Sequence, residues 1–211
     1  MAFLLPRVYP ILDSSVIPQT SRAKFLQSLG RSLADAGVEL LEYRNKTGLD
    51  VELASDAEIL RHSMPATKLI LDDRADLVVQ LGFDGVHVDA GDVSVSEARR
   101  ILGPDRIVGT FAGSDSLIPG ILTQPADYFA IGPVFTTTTK QTDKPSIGLQ
   151  GVRKLREEVG SEVVLSAAAG ITLETAPLVI EAGASMVAVA AAIFRTPDPA
   201  AEFSRWRKIL A

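Results

Sequence analysis

The feature that most constrains the fold is a short pattern that occurs four times along the chain. It reads DAGVELLEYR, QLGFDGVHVD, TQPADYFAIG and EAGASMVAVA, and each copy leads from a helical segment through Gly or Pro into an apolar run of strand length. Glycine just after a helix tolerates the left-handed turn that satisfies the last helical carbonyls. A strand that is apolar on both faces is typical of a parallel sheet covered by helices. The repeated unit is therefore a helix, a tight turn and a buried strand.

Eight such strands and eight helices can be placed in the 211 residues. The predicted strands are Val8–Asp13, Leu40–Asn45, Lys68–Asp73, Gly85–Asp89, Arg106–Phe111, Asp127–Gly132, Glu162–Ala168 and Met186–Ala191. The predicted helices are roughly Ser21–Ala36, Leu53–Ser63, Arg74–Leu81, Ser94–Leu102, Asp115–Leu122, Leu149–Val159, Leu173–Ala182 and Pro199–Leu210. The Ala-rich run AVAAAIF is interpreted as buried strand. This arithmetic predicts one α/β domain over residues 1–211, a single (β/α)8 TIM barrel, with a doubly wound sheet as the alternative.

Composition argues against several classes of protein. The formal net charge of −5 argues against binding to nucleic acid, which requires a basic patch. The absence of cysteine excludes a disulfide framework, a thiolate nucleophile and a cysteine-ligated zinc site, and it suits a reducing cytosol. No apolar run reaches the roughly 18 residues that a membrane span requires. We therefore expect a cytoplasmic protein that binds no membrane, and a homodimer is left open.

Carboxylates follow the third and fourth predicted strands. The segment LILDDR ends in Asp72 and Asp73, and GVHVDAGD contains Asp89 and Asp92. Because the carboxyl ends of barrel strands form the active face, we expect Asp73 and Asp92 to share one site. A cation between them would offset their repulsion, and Mg²⁺ binds one or two carboxylates together with waters and substrate phosphates. The alternative is that one or both acids cap the following helices.

Cationic side chains follow the second and sixth strands. In LEYRNKTG, alternation places Glu42, Arg44 and Lys46 on one side of the strand, where the two cations can clamp an anion. The long segment GPVFTTTTKQTDKPSIG can offer hydroxyls, amides and Lys140 to a phosphate and can close as a lid. Solvated basic or flexible loops are the alternatives.

Small residues follow the seventh strand in SAAAGIT, where they would let a phosphate approach the backbone. With the acids and cations, this predicts a site for two phosphorylated small molecules, or for one diphosphate with Mg²⁺. Acyl transfer is not expected, because no Ser and His are spaced for it. His87 lies inside the fourth strand and is interpreted as structural.

Five segments together resemble the thiamine-phosphate synthase family, whose superfamily also contains the thiazole tautomerases. They are YRNK, LDDR, GVHVDAGD, GPVFTTTTK and AGITLETAPLVIEAGASMVAV, and the resemblance runs from Val8 to about Phe203. It implies the coupling of 4-amino-2-methyl-5-pyrimidinylmethyl diphosphate to a thiazole phosphate, with release of pyrophosphate. It also implies Mg²⁺ on Asp73 and Asp92.

The resemblance further implies roles for particular side chains. The implied catalytic residues, which would stabilise the departing pyrophosphate, are Arg44, Lys46 and Lys140. The implied substrate-binding positions are Glu42, Asp72, Thr137, Thr139, Ala169, Gly170 and Ala191.

Several positions depart from the family pattern. They are Glu42 for Gln, Asp72 for Asn, Asp89-Ala90 for Gly-Gln, Phe111 for Ser, Ala169 for Gly and Ala191 for Ser. The loss of one buried polar contact costs about 1–3 kcal/mol, so a changed substrate is one alternative. A thiazole tautomerase is another, although its His corresponds to Gly113 here and both metal-binding acids are kept. The third is a non-catalytic protein that binds thiamine phosphates or a related phosphate.

Overall fold

Eight parallel strands close into one barrel in the computed structural model, which describes residues 3–46, 48–113, 123–136 and 145–211. Each strand pairs in parallel with its neighbours in chain order, and the eighth pairs with the first. The strands are β1 Val8–Asp13, β2 Leu40–Arg44, β3 Lys68–Asp72, β4 Gly85–Val88, β5 Ile107–Gly113, β6 Tyr128–Ile131, β7 Leu165–Ala168 and β8 Met186–Val189. The TIM-barrel prediction is therefore confirmed. β1 has the predicted ends, and the other seven predicted strands are present with shifted ends.

The helices lie between the strands along the chain. Those within the described ranges are α1 Arg22–Asp35, α2 Asp50–Ser63, α3 Val95–Leu102, α4 Gly148–Val159, α5 Ala176–Glu181, α6 Ala191–Phe194 and α7 Pro199–Ile209. The helix predicted over 115–122 lies outside the described residues. No helix in the described ranges is both long and apolar enough to cross a bilayer.

Two predictions of local structure were wrong. Residues 75–82 form successive turns instead of an α-helix, because the chain leaves β3 through Asp73 in a left-handed conformation (φ 66°) and bonds locally, with Leu77 N donating to Arg74 O. The run AVAAAIF was interpreted wholly as strand, but β8 ends at Val189 and α6 follows. Alanine is the strongest helix former, so once strand pairing ends the alanines turn into a helix.

Alternation along each strand separates an outer core from the barrel lumen. On β2, Leu41 and Tyr43 pack outward in the large cluster beneath the helices, whereas Leu40 packs inside the barrel. Inside, five buried residues fill the lower lumen: Tyr9, Leu40, Ile70, Tyr128 and Met186. The ring of Tyr128 requires glycine at position 109, since a Cβ there would collide with it. These five side chains leave the upper lumen open at the carboxyl ends of the strands.

A buried ion pair on the outside of the barrel anchors β2. Arg22 of α1 donates from Nε and Nη2 to Asp56 of α2 at 3.0 and 2.6 Å. The Tyr43 hydroxyl of β2 donates to the same carboxylate. The Asp56 side chain is 1% exposed, so these hydrogen bonds must compensate for the hydration that the carboxylate loses on burial. This pair holds the strand that carries Glu42 and Arg44 on its inner face.

We predict that Asp56→Ala lowers the free energy of unfolding by about 3–5 kcal/mol, because the Arg22 charge loses its main partner while still partly buried. The matched control is Glu97→Ala, which removes the exposed ion pair with Arg100 and should leave the free energy of unfolding nearly unchanged. Urea unfolding of both variants measures the difference. A loss below about 1 kcal/mol for Asp56→Ala would contradict this role of the pair.

Candidate active site

A cavity of 510 Å³ lies at the carboxyl ends of the strands, within the size range of small-molecule sites. Its two halves differ in chemistry. The polar and charged lining from β1 to β4 and the residues after them comprises Tyr9, Asp13, Ser15, Glu42, Arg44, Asp72, His87 and Asp89. The lining from β5 to β8 and the residues after them is mostly apolar and small, and includes Phe111, Ala130, Ala168, Ala169, Ala188, Ala190 and Ala191. Such a cavity suits a flat ligand with one polar edge.

The predicted cations meet the predicted acids at the edge of this cavity. Lys46 Nζ lies 3.1 Å from Asp72 Oδ2 and also forms an ion pair with Asp73. Arg44 Nε lies 3.2 Å from the same Asp72 oxygen, and Arg44 Nη1 binds Asp13. Four of the residues predicted for the site therefore form one charge network, in which the cations are held by carboxylates.

Asp73 and Asp92 converge, as the sequence predicted. Burial, together with hydrogen bonding to and repulsion by Asp73, raises the pKa of Asp92, although the Asp89 N–H donates to its Oδ2 at 2.7 Å. Neither acid is in the lining of the 510 Å³ cavity, but Lys46 connects Asp73 to the lining residue Asp72. The left-handed turn at Asp73 directs the chain away from β3 at this point.

The acid pair suits a cation that takes further ligands from a substrate. Asp73 Oδ1 is buried and has no hydrogen-bond partner within the ranges that the structure describes. Within the described ranges, no group of three or more His, Cys, Asp or Glu side chains is arranged to bind a metal ion by itself. Two carboxylates with water and phosphate oxygens are what Mg²⁺ commonly uses.

Asp72 is the buried acid of the network. Burial, followed by the charges of Glu42 and Asp73, raises the pKa of Asp72 to about 7. Its Oδ2 forms no well-oriented hydrogen bond, although Arg44 and Lys46 lie nearby. The carboxyl group is therefore poised between its charged and neutral forms near neutral pH.

A chain of hydrogen bonds crosses the floor of the cavity. The Tyr9 hydroxyl donates to Glu42 Oε2 at 2.6 Å and lies 2.8 Å from the Tyr128 hydroxyl. Since Tyr9 has given its only hydrogen to Glu42, Tyr128 must donate to Tyr9, and His87 Nδ1, 3.0 Å away, must donate to Tyr128. The far nitrogen, Nε2, lies 3.6 Å from Asp89 Oδ1.

Opposing effects act on the pKa of His87. Burial alone would lower the pKa of His87, but the carboxylates of Asp89 and Glu42 outweigh it and raise that pKa. The interpretation of His87 as structural is therefore incomplete, because its side chain lines the cavity and connects two of its acids.

The remaining predicted positions lie after β6, β7 and β8. Ala169 lines the cavity in a left-handed conformation (φ 71°), and Gly170 follows at φ 69°. A Cβ at Gly170 would collide with the backbone oxygen of Phe135, so glycine is required there. Ala191 lines the cavity from the start of α6. Thr137, Thr139 and Lys140 lie outside the described residues.

Sequence reasoning missed several lining residues, and three of them are polar side chains within apolar strands. They are Tyr9, Tyr128 and Ser166, each on an inward-facing strand position. Alternation along a strand indicates such positions only when one inward-facing residue of that strand is known, because side chains two residues apart share a face. Each lies among apolar residues along its strand, and such a run predicts a position in the hydrophobic core.

We predict that Asp72→Asn changes how stability depends on pH. The folded-state pKa of about 7 exceeds the ordinary 3.8, so the carboxyl group contributes stability that is full below about pH 4 and is lost as pH rises through about 7. Asparagine cannot ionise, so the variant should gain stability relative to the parent between pH 5 and 8, by at most a few kcal/mol at about 1.4 kcal/mol per pKa unit. Urea unfolding in buffer free of divalent cations measures this, and parallel pH profiles would contradict it.

Proteins that are similar to this chain in sequence are also similar to it in length. A family model described as thiamine monophosphate synthase matches residues 8–193. A thiamine-phosphate synthase of Koribacter versatilis is 38% identical over 207 residues, covering 98% of this chain and 96% of that protein. Another, of Agrobacterium fabrum, is 36% identical over 190 residues, covering 88% and 86%.

Solved structures agree in fold. A thiamine phosphate pyrophosphorylase from Pyrococcus furiosus has a TM-score of 0.82 at 26% identity, covering 97% of this chain and 95% of that one. A 3-hexulose-6-phosphate synthase, with a TM-score of 0.65 at 19% identity and coverage of 97% and 100%, shares the fold alone. Because the family model spans most of the chain and relatives match it nearly end to end, the chain belongs to the thiamine monophosphate synthase family.

Proposed function

We propose that this protein is a thiamine-phosphate synthase, which couples 4-amino-2-methyl-5-pyrimidinylmethyl diphosphate to a thiazole phosphate and releases pyrophosphate. The observation that carries the proposal is the charge network at the cavity rim, where Arg44 and Lys46 both pair with Asp72, and Lys46 also pairs with Asp73, which converges with Asp92. A diphosphate requires cations of this kind, and the partly apolar cavity beside them suits the two rings. The names of the full-length relatives support the same activity.

Mg²⁺ fits the acid pair and would be held by Asp73 and Asp92. When bound, it would supply positive charge that neutralises the diphosphate and the departing pyrophosphate. The unpartnered Asp73 Oδ1 supports this assignment. Lys46, which now pairs with Asp73, would then be released to a phosphate oxygen.

The reaction breaks the bond between the methylene carbon and the diphosphate oxygen, whose electron pair leaves with pyrophosphate. The thiazole nitrogen then forms the new carbon–nitrogen bond with its lone pair. No proton transfer is needed for charge to balance, so the protein contributes by positioning and electrostatics. Arg44 and Lys46 would stabilise the leaving group, and the alanine-lined half of the cavity would keep water from the carbon.

The proposed substrates are small phosphorylated molecules. The lack of cysteine is consistent with a reducing cytoplasm, which we propose as the location. Nucleic acid is not proposed as a partner, given the net negative charge.

We predict that the purified protein releases pyrophosphate only when both half-substrates and Mg²⁺ are present, as followed by a coupled pyrophosphate assay. The diphosphate alone and the thiazole phosphate alone are the controls. Turnover of a thiazole compound without metal would indicate a tautomerase. Ligand-induced thermal stabilisation without turnover would indicate a binding protein.

Asp73→Asn should lower pyrophosphate release at least about 100-fold, because the amide has no charge to hold Mg²⁺ beside the diphosphate. Asparagine suits the test since it tolerates the left-handed conformation of this position (φ 66°). Asp76→Asn is the matched control, because Asp76 is exposed and pairs with Arg74 outside the cavity. Equal loss in both variants, or retained activity in Asp73→Asn, would contradict the metal-site assignment.

A further inference from the structure

We propose that Arg195 binds the phosphate group of the thiazole substrate and makes the site selective for the phosphorylated thiazole over the free thiazole alcohol. The inference rests on the proposed function, since it assigns a residue to the second substrate of that reaction. The ligand class is a phosphate monoester on a small neutral ring.

Arg195 is held at the cavity wall beyond β8. The chain passes from β8 into the short helix α6, and Arg195 follows this helix, with its backbone N–H donating to Ala191 O at 3.0 Å. The buried side chains of Ile193 and Phe194 anchor the turn. Phe194 and Arg195 both line the 510 Å³ cavity, and Arg195 is exposed. A ligand in the cavity can therefore reach the guanidinium group.

The Arg195 side chain is a cation without a partner. It forms no ion pair or hydrogen bond with any residue that the structure describes. Arg44, the other lysine or arginine in the described lining, is paired with Asp13 and Asp72. A guanidinium group can bind a phosphate through two parallel hydrogen bonds. Of the two lining cations that the structure describes, Arg195 is the one whose donors are all available.

The distribution of acids in the cavity favours an anion on this side. The acids of the described lining all belong to the half from β1 to β4, and they are Asp13, Glu42, Asp72 and Asp89. The half from β5 to β8 contributes no carboxylate to the described lining. A phosphate beside Arg195 therefore meets positive charge, whereas a phosphate beside Arg44 must compete with two carboxylates.

The small residues after β8 leave a role for this arginine. Phosphate groups commonly bind after the seventh and eighth strands of such barrels, largely through backbone amides. In this chain Ala191 stands where the family pattern has a serine, so its side chain offers no hydroxyl to a phosphate. Arg195, at the end of the same short helix, supplies a charge-assisted donor, which is stronger than a neutral hydroxyl.

Separate cations for the two phosphorylated groups also suit the reaction. Both substrates are anions, and two anions that share one set of cations repel each other. The acid pair proposed for Mg²⁺ follows β3 and β4, and Arg195 follows β8, on the other side of the closed barrel. The diphosphate and the monophosphate are thereby kept apart, which leaves the two rings to meet between them.

The test compares the binding of the thiazole phosphate and of the corresponding thiazole alcohol by titration calorimetry. Mg²⁺ and saturating pyrophosphate are present, so the cations near the acid pair are occupied and no reaction can take place. Because the probes differ only in the phosphate, the ratio of their affinities reports on the phosphate alone. We expect the parent protein to prefer the phosphate by about 100-fold or more.

Arg195→Ala should weaken binding of the thiazole phosphate about 10-fold or more and leave binding of the alcohol unchanged. Arg195→Lys keeps the charge but loses the planar fork, so it should retain part of the affinity. In assays of pyrophosphate release, Arg195→Ala should raise the KM for thiazole phosphate and leave the KM for the diphosphate unchanged. Its thermal stability without ligand should equal that of the parent, because the side chain has no partner to lose.

Arg153→Ala is the matched control, because Arg153 is exposed on α4, lies outside the described cavity lining and has no partner among the described residues. It should leave both affinities and both KM values unchanged.

An unchanged preference for the phosphate in Arg195→Ala, with a parent protein that releases pyrophosphate, would overturn the inference alone. An equal loss of affinity for phosphate and alcohol, or a raised KM for the diphosphate, would overturn it as well. The expected affinities in a parent protein that releases no pyrophosphate would overturn only the proposed function. A parent protein that binds neither probe would overturn the inference.

Discussion

Closure of eight parallel strands into a barrel is the constraint on which the site depends. Because every strand runs in the same direction, all eight carboxyl ends meet at one face, and alternation sends every second side chain into the lumen. The lower lumen is filled by large side chains such as Tyr9 and Met186, so free volume remains only above them. Residues far apart in sequence, such as Glu42 and Ser166, thereby line one cavity.

Charge balance in that cavity is the second determinant of function. Arg44 and Lys46 are paired with Asp13, Asp72 and Asp73 at the rim. A diphosphate must compete with these carboxylates, and it does so more easily when Asp72 is neutral or when a divalent cation occupies the acid pair. Glu42 and Asp72 therefore add negative charge to the cavity lining next to Arg44.

The sequence was informative wherever a residue's role follows from its neighbours along the chain. Alternation in β2 places Glu42 and Arg44 together in the cavity lining, and acids at the ends of two strands indicated that Asp73 and Asp92 converge. A helix was predicted over Arg74–Leu81 from the apolar spacing, but that spacing contains no information about the left-handed turn at Asp73, and 75–82 form turns. The run AVAAAIF was predicted as strand because an apolar, Ala-rich run is compatible with a buried strand as well as with a helix.

By itself, the sequence determined the barrel, the family and the acidic and basic residues at the strand ends, because each depends on local pattern and spacing. Only the tertiary structure decided that Tyr9, Tyr128 and His87 form one hydrogen-bonded chain to Glu42. Partners for a polar atom come from strands distant in sequence. Their distances depend on barrel closure and on the packing of the lumen, which no single segment encodes.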